Sequence, residues 1–205
     1  MRALEDHHDQ PEDGLPLSAG PSHDLDRAAS AVSELLSALG IDLDDAHLQE
    51  TPARVARAYA ALLSPRPFTL TTFPNEEGYD ELVLARDIPF HSLCSHHLLP
   101  FFGVAHVAYL PATRIVGLSK LARVVEHYAS GLQVQERLTQ QVADRLQGEL
   151  EPKGVGVVLE AEHTCMTLRG AQAHGSRMVT SAMHGAIRND PRTRQEFLSL
   201  IGRPG

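Results

Sequence analysis

Two runs of strand-like sequence, Leu82 to about Leu93 and Phe101 to Leu110, are separated by a short connection that carries Cys94, His96 and His97. In the second run Val104, His106 and Ala108 alternate with Ala105, Val107 and Tyr109, the two-residue period of a strand. Pro100 closes the connection and Pro111 ends the second run. This pairing constrains the chain more than any other stretch, because it sets two strands side by side and places three side chains of types able to bind metal where they meet.

Around it the pattern is helical, then extended again. Ser119 to Ser130 reads as a helix with Leu121, Val124, Val125 and Tyr128 on one face and Ser119 as its cap. A second helix, about 133–149, carries the stripe Val134, Leu138, Val142 and Leu146 and ends before Pro152 and Gly154. Two more strands are expected, Gly154 to Met166 and Arg177 to Ile187, then a short terminal helix from Pro191 to Ile201. The order β-β-α-α-β-β predicts an α+β domain over 81–205, an antiparallel four-stranded sheet with two helices on one face. Such a sheet leaves two edges that need a partner, which argues for a homo-oligomer.

Upstream, residues 23–80 form a helical region and a loop. Leu25, Ala28, Ala29, Val32, Leu35 and Leu36 give 24–39 a helical face, with Gly40 as its stop. Thr51-Pro52 starts the next helix, with Thr51 as cap, and 66–80 reads as a loop. Residues 1–22, rich in Asp, Glu, His, Pro, Gly and Ser, are expected to be a disordered tail. They have neither the basic nor the apolar region of a secretory signal, and no run approaches the length of a membrane span.

The net charge of −8 argues against a general surface for nucleic acid or anionic membrane. Two cysteines cannot build a disulfide framework, and beside histidines they suggest a reduced metal site and a cytoplasmic setting. Cys94 and His97, three positions apart, can turn toward one ion, with Cys165 as a distant third ligand. Two thiolates and an imidazole suit zinc, and three protein ligands leave a position for water. On a strand, His163 and Cys165 would share a face. A fourth ligand, His96 or His163, would instead close the site and make it structural; spacing does not choose between these.

Basic residues gather at few places. Lys120 and Arg123 lie on the first turns of the Ser119 helix, where a helix N-terminus attracts phosphate. Arg169 stands four residues after Cys165, and Arg137 starts the next helix beside Gln135 and Glu136. The Glu136 carboxylate can accept two parallel hydrogen bonds from a ring N–H and an exocyclic amine, the pair that guanine presents.

Taken together, C-S-H-H-L-L-P-F-F-G (94–103), G-L-S-K-L-A-R-V-V-E (117–126), Q-V-Q-E-R-L-T (133–139), G-V-G-V-V-L-E-A-E-H-T-C-M (154–166), R-G (169–170), V-T-S-A-M (179–183) and D-P-R-T-R-Q-E-F-L (190–198) resemble the GTP cyclohydrolase I family over about residues 45–203. The resemblance implies the tunnelling fold and its assembly into a toroidal homodecamer with active sites at subunit junctions. It implies a zinc enzyme that opens the imidazole ring of GTP, releases C8 as formate and recloses the product to 7,8-dihydroneopterin triphosphate, for folate or related pterins. Cys94, His97 and Cys165 match the zinc ligands, and His96 and His163 the proton-transferring histidines. Gln135 and Glu136 match the guanine-recognising pair; Ser119, Lys120, Arg123 and Arg169 match positions that hold the triphosphate and ribose. Two departures stand out: Ser95 where the family usually has Glu, and Ala171-Gln172-Ala173 where it usually has Val-Gln-Lys.

Overall fold

The structure, a computed structural model, describes residues 22–202. Two helices, α1 (Leu25–Ala38) and α2 (Thr51–Leu62), precede a short strand β1 (Thr72–Pro74) and the long strands β2 (Val83–Cys94) and β3 (Pro100–Leu110). Then come β4 (Arg114–Val116), α3 (Leu118–Ala129), β5 (Leu132–Gln133), α4 (Gln135–Leu150), β6 (Gly154–His163), α5 (Thr164–Thr167), β7 (Met178–His184), α6 (Gly185–Asn189) and α7 (Pro191–Ile201). The long elements follow the expected β-β-α-α-β-β order. The expected tail lies, up to residue 21, outside the described residues.

The main sheet has the order β5-β2-β3-β6-β7. Its four long strands are antiparallel, and the two-residue β5 adds a parallel fifth beside the end of β2. The sheet is therefore five-stranded rather than four-stranded, and β1 pairs with β4 inside what reads as a loop. Ala105, Val107 and Tyr109 of β3 pack toward α3 and α4, whose Leu121, Val124, Val125, Leu138, Val142 and Leu146 are fully buried. The other face, which the sequence pattern leaves unassigned, is covered as well. Ala108 and Val158 pack there against Ile187 of α6 and Phe197 of α7. Burial on both faces explains the near-continuous apolar run of β6. Gly156 is required beneath Phe197, since a Cβ there would lie 2.8 Å from a ring carbon.

Several element ends differ from expectation for local reasons. Gly117, not Ser119, caps α3, accepting from the Lys120 N–H at 2.8 Å, and Ser119 is already helical. Glu50 occupies the cap position of α2; Thr51 lies inside the helix and its hydroxyl accepts from Arg54. Strand β6 stops at His163, and Cys165 sits on a helical turn instead of a strand. The cause is Pro100, which has no N–H to extend the ladder past the Phe101–His163 pair. The Thr164 hydroxyl donates to the Pro100 carbonyl instead, at 2.6 Å. Strand β7 ends at Gly185, whose φ of +54° and close approach to the Lys153 carbonyl exclude a side chain. Gly40 does stop α1: it sits at φ +78°, its N–H bonds Ser37, and the Ile41 N–H bonds Leu36, the paired closure of a helix end. Among the described residues no helix is long and apolar enough to cross a membrane.

Candidate metal centre and substrate pocket

Cys94 is the last residue of β2 and is buried. Its N–H donates to the Leu99 carbonyl at 2.9 Å, and its own carbonyl accepts from His97 at 3.3 Å and Leu98 at 2.9 Å. This tight reversal needs Leu98 in the left-handed region, at φ +56°. It brings the Cys94 Sγ to 3.8 Å from Nδ1 of both His96 and His97. The α5 turn delivers Cys165 from the far side. One donor atom each from Cys94, His97 and Cys165 lies within 4.8 Å of the other two, a group able to hold a metal ion.

The electrostatics fit a cation. Burial pushes the Cys165 thiol above its ordinary value, the neighbouring Cys94 raises it further, and Arg169 pulls weakly the other way. Two adjacent thiols resist ionising together, and a bound divalent ion removes that obstacle. Both cysteines are free thiols.

Beside this group, His163 ends β6 and stacks on Phe101, with ring centroids 4.5 Å apart and planes 4° from parallel. Its Nε2 lies 2.7 Å from Oε1 of Gln135. Gln135 opens α4 and is only 3% exposed, and its amide nitrogen donates to the carbonyls of Leu159 (3.1 Å) and Met178 (3.0 Å) and to the Thr180 hydroxyl (3.1 Å). Carbonyls only accept, so the nitrogen must face them and the oxygen must face His163. His163 therefore donates from Nε2, which leaves Nδ1 as the accepting nitrogen of the neutral ring. Burial holds the His163 pKa below its ordinary value, against the upward pull of Glu136.

A pocket of about 270 Å³ gathers Cys94, His96, His97, Cys165, His163, Gln135 and Glu136. Glu136 is exposed at the first turn of α4. Sequence reasoning missed Phe101 and Thr180, which support His163 and Gln135. Their signal lay in the strand register, which no local pattern carries. Ser119, Lys120 and Arg123 on α3 do not line this pocket; Arg123 borders a separate groove with Arg66 and Glu126. Arg169, exposed, lies near enough to Cys165 to act on its charge.

The family model described as GTP cyclohydrolase I matches residues 28–202. A GTP cyclohydrolase 1 of Thermobifida fusca (strain YX) is 55% identical over 183 residues, 87% of this chain and 88% of that one. One from Aquifex aeolicus (strain VF5) is 51% identical over 178 residues, 87% and 97% of the two chains. One from Rhodopirellula baltica is 50% identical over 203 residues, 95% and 89%. Matched by the family model over residues 28–202 and half identical to these relatives across 87% or more of its length, this chain belongs to the GTP cyclohydrolase I family of enzymes.

Proposed function

We propose that the chain is a zinc-dependent GTP cyclohydrolase I, hydrolysing GTP at C8 to release formate and form 7,8-dihydroneopterin triphosphate for folate or pterin synthesis. The observation that carries this reading is the convergence of three metal-competent donors with His96, His163 and Glu136 in one pocket. Cys94, His97 and Cys165 would hold the zinc, which supplies Lewis-acid chemistry and activates water near neutral pH. Glu136, exposed at the pocket wall, accepts the N–H and amine of guanine and fixes the purine in place. His96 carries protons at the imidazole ring. His163 does so through Nδ1, because Gln135 holds its other nitrogen.

Arg169 lies on the same side as Cys165 and steadies the phosphate-bearing end of the substrate. Ser119, Lys120 and Arg123 do not line this chain's own pocket and would serve that of a neighbouring copy, so the reading includes a ring-shaped oligomer, the tunnelling-fold decamer, with sites at its junctions. The free thiols fit a reducing, cytoplasmic setting. The tail of 1–22, the helical region of 23–80 and the catalytic domain of 81–205 remain the proposed division of the chain. Purified zinc-loaded protein given GTP should yield formate and a product that fluoresces after oxidation. Full zinc occupancy with neither product overturns the reading, and a product retaining the formyl mass would mean that the reaction stops at ring opening.

A further inference from the structure

The turn that carries His96 and His97 is held from outside as well as from within. Tyr59, on α2, donates its hydroxyl to the Leu98 carbonyl at 3.1 Å, across 39 positions of chain. Among the described residues this is the hydrogen bond that ties the α1–α2 pair to the rest of the molecule. Leu98 is the left-handed residue of the turn, next to the ligand His97, and its N–H is bonded to the Cys94 carbonyl. Its side chain forms part of the wall of an apolar groove of about 380 Å³ between α1 and α2, with Val55, Tyr59 and Leu63. One residue is thus held on its carbonyl by Tyr59 and on its N–H by a metal-ligand residue, while its half-exposed side chain borders the groove between the helices. The left-handed geometry is unfavourable for leucine, so it persists only while these contacts hold it.

We infer that Tyr59 is a positioning residue for the metal centre: its hydroxyl fixes the Leu98 peptide and, through it, where the His97 ring meets the two thiols. The inference rests on the metal-centre reading above. It makes the α1–α2 pair part of the device that retains the ion, although neither helix supplies a ligand.

The test uses the full chain and zinc itself. Wild-type protein should hold one zinc per chain; protein that binds none defeats the metal-centre reading, a result distinct from those that follow. Tyr59→Phe removes only the hydroxyl. It should surrender zinc to a chelator about 10-fold faster than wild type, the low end of what losing a supporting contact outside the ligand set costs a metal site, with a nearly unchanged melting temperature for the metal-free protein. The cobalt(II)-substituted form should show shifted absorption bands, reporting altered ligand geometry that mere loss of stability would not produce. Leu98→Gly, which takes φ +56° freely but leaves the turn's backbone free to move and removes the side chain from the groove wall, should release zinc faster as well. Both changes act on the same peptide, one at its carbonyl and one at its side chain, so their effects on zinc release should be coupled rather than simply additive. Wild-type release and an unchanged cobalt spectrum in Tyr59→Phe overturn the inference, and so do additive effects in the double variant.

Discussion

At the scale of single residues, the proposed reading divides the site into metal donors, proton carriers and supports. Under the proposed reading Cys165→Ala removes one of three ligands, and zinc content by metal analysis should fall well below one per chain, with activity lost. Glu136→Gln keeps the shape but turns one accepting oxygen into a donor. GTP turnover should drop by about 10²-fold or more in kcat/KM, because the ring N–H and amine of guanine would lose a matched acceptor pair, while zinc stays bound. Steady-state kinetics beside metal analysis separates the two variants. The cysteine–histidine pairing was legible because Cys94 and His97 are so close in sequence that a turn must bring them together. Cys165 was legible from residue type alone. The hydrogen bonds of Gln135 were not: its partners, Leu159, Met178 and Thr180, come from two strands far along the chain, and only the sheet register assembles them.

At the scale of elements, the long strands and both central helices could be read from period, since each buries one apolar stripe or alternates across a sheet. The ends could not, because they are set by tertiary partners. The proline that starts β3 terminates β6, and the C-terminal helices cover a face that local pattern leaves unassigned. That second layer makes a stability prediction. Gly156→Ala drives a methyl into the Phe197 ring and should destabilise the fold by about 1–3 kcal/mol, measurable by denaturant unfolding.

The irregularity in β2 makes another prediction. The register slips between Ala85 and Ile88, where Asp87 takes φ +54° and donates its N–H to Nδ1 of His106 at 3.3 Å. Burial holds His106 below its ordinary pKa; Asp87 and Glu160 oppose this and Arg86 adds to it. The folded state thus keeps His106 neutral where the unfolded chain, with a pKa of about 6.5, already binds a proton. This contribution to stability is complete above that value and is lost as pH falls toward the folded pKa. Equilibrium unfolding from pH 7 to pH 5 should show a decline that is shallower in His106→Asn, which retains an acceptor but does not titrate.

At the scale of the whole molecule, the proposed reading splits the site: Cys94, His97 and Cys165 share one pocket, while Ser119, Lys120 and Arg123 on α3 lie outside it and would serve a neighbouring copy. A Lys120→Ala chain and a Cys165→Ala chain, each impaired alone, should regain activity when dissociated and reassembled together. In a random mixture roughly a quarter of the junctions combine two intact halves. A GTP assay on the mixture checks this, and no recovery would argue that each chain builds its site alone.

The donor set has a further consequence at this scale. Cys94 ends one strand and Cys165 rides a turn beyond another, so an ion between them staples two segments that are remote in sequence. Such a staple can be removed, unlike a disulfide. With free metal at a hundred times its dissociation constant it adds about 2.7 kcal/mol to the folded state, and a chelator takes that back. The corner of the protein that performs the chemistry would then also be the corner whose cohesion rises and falls with the metal supply.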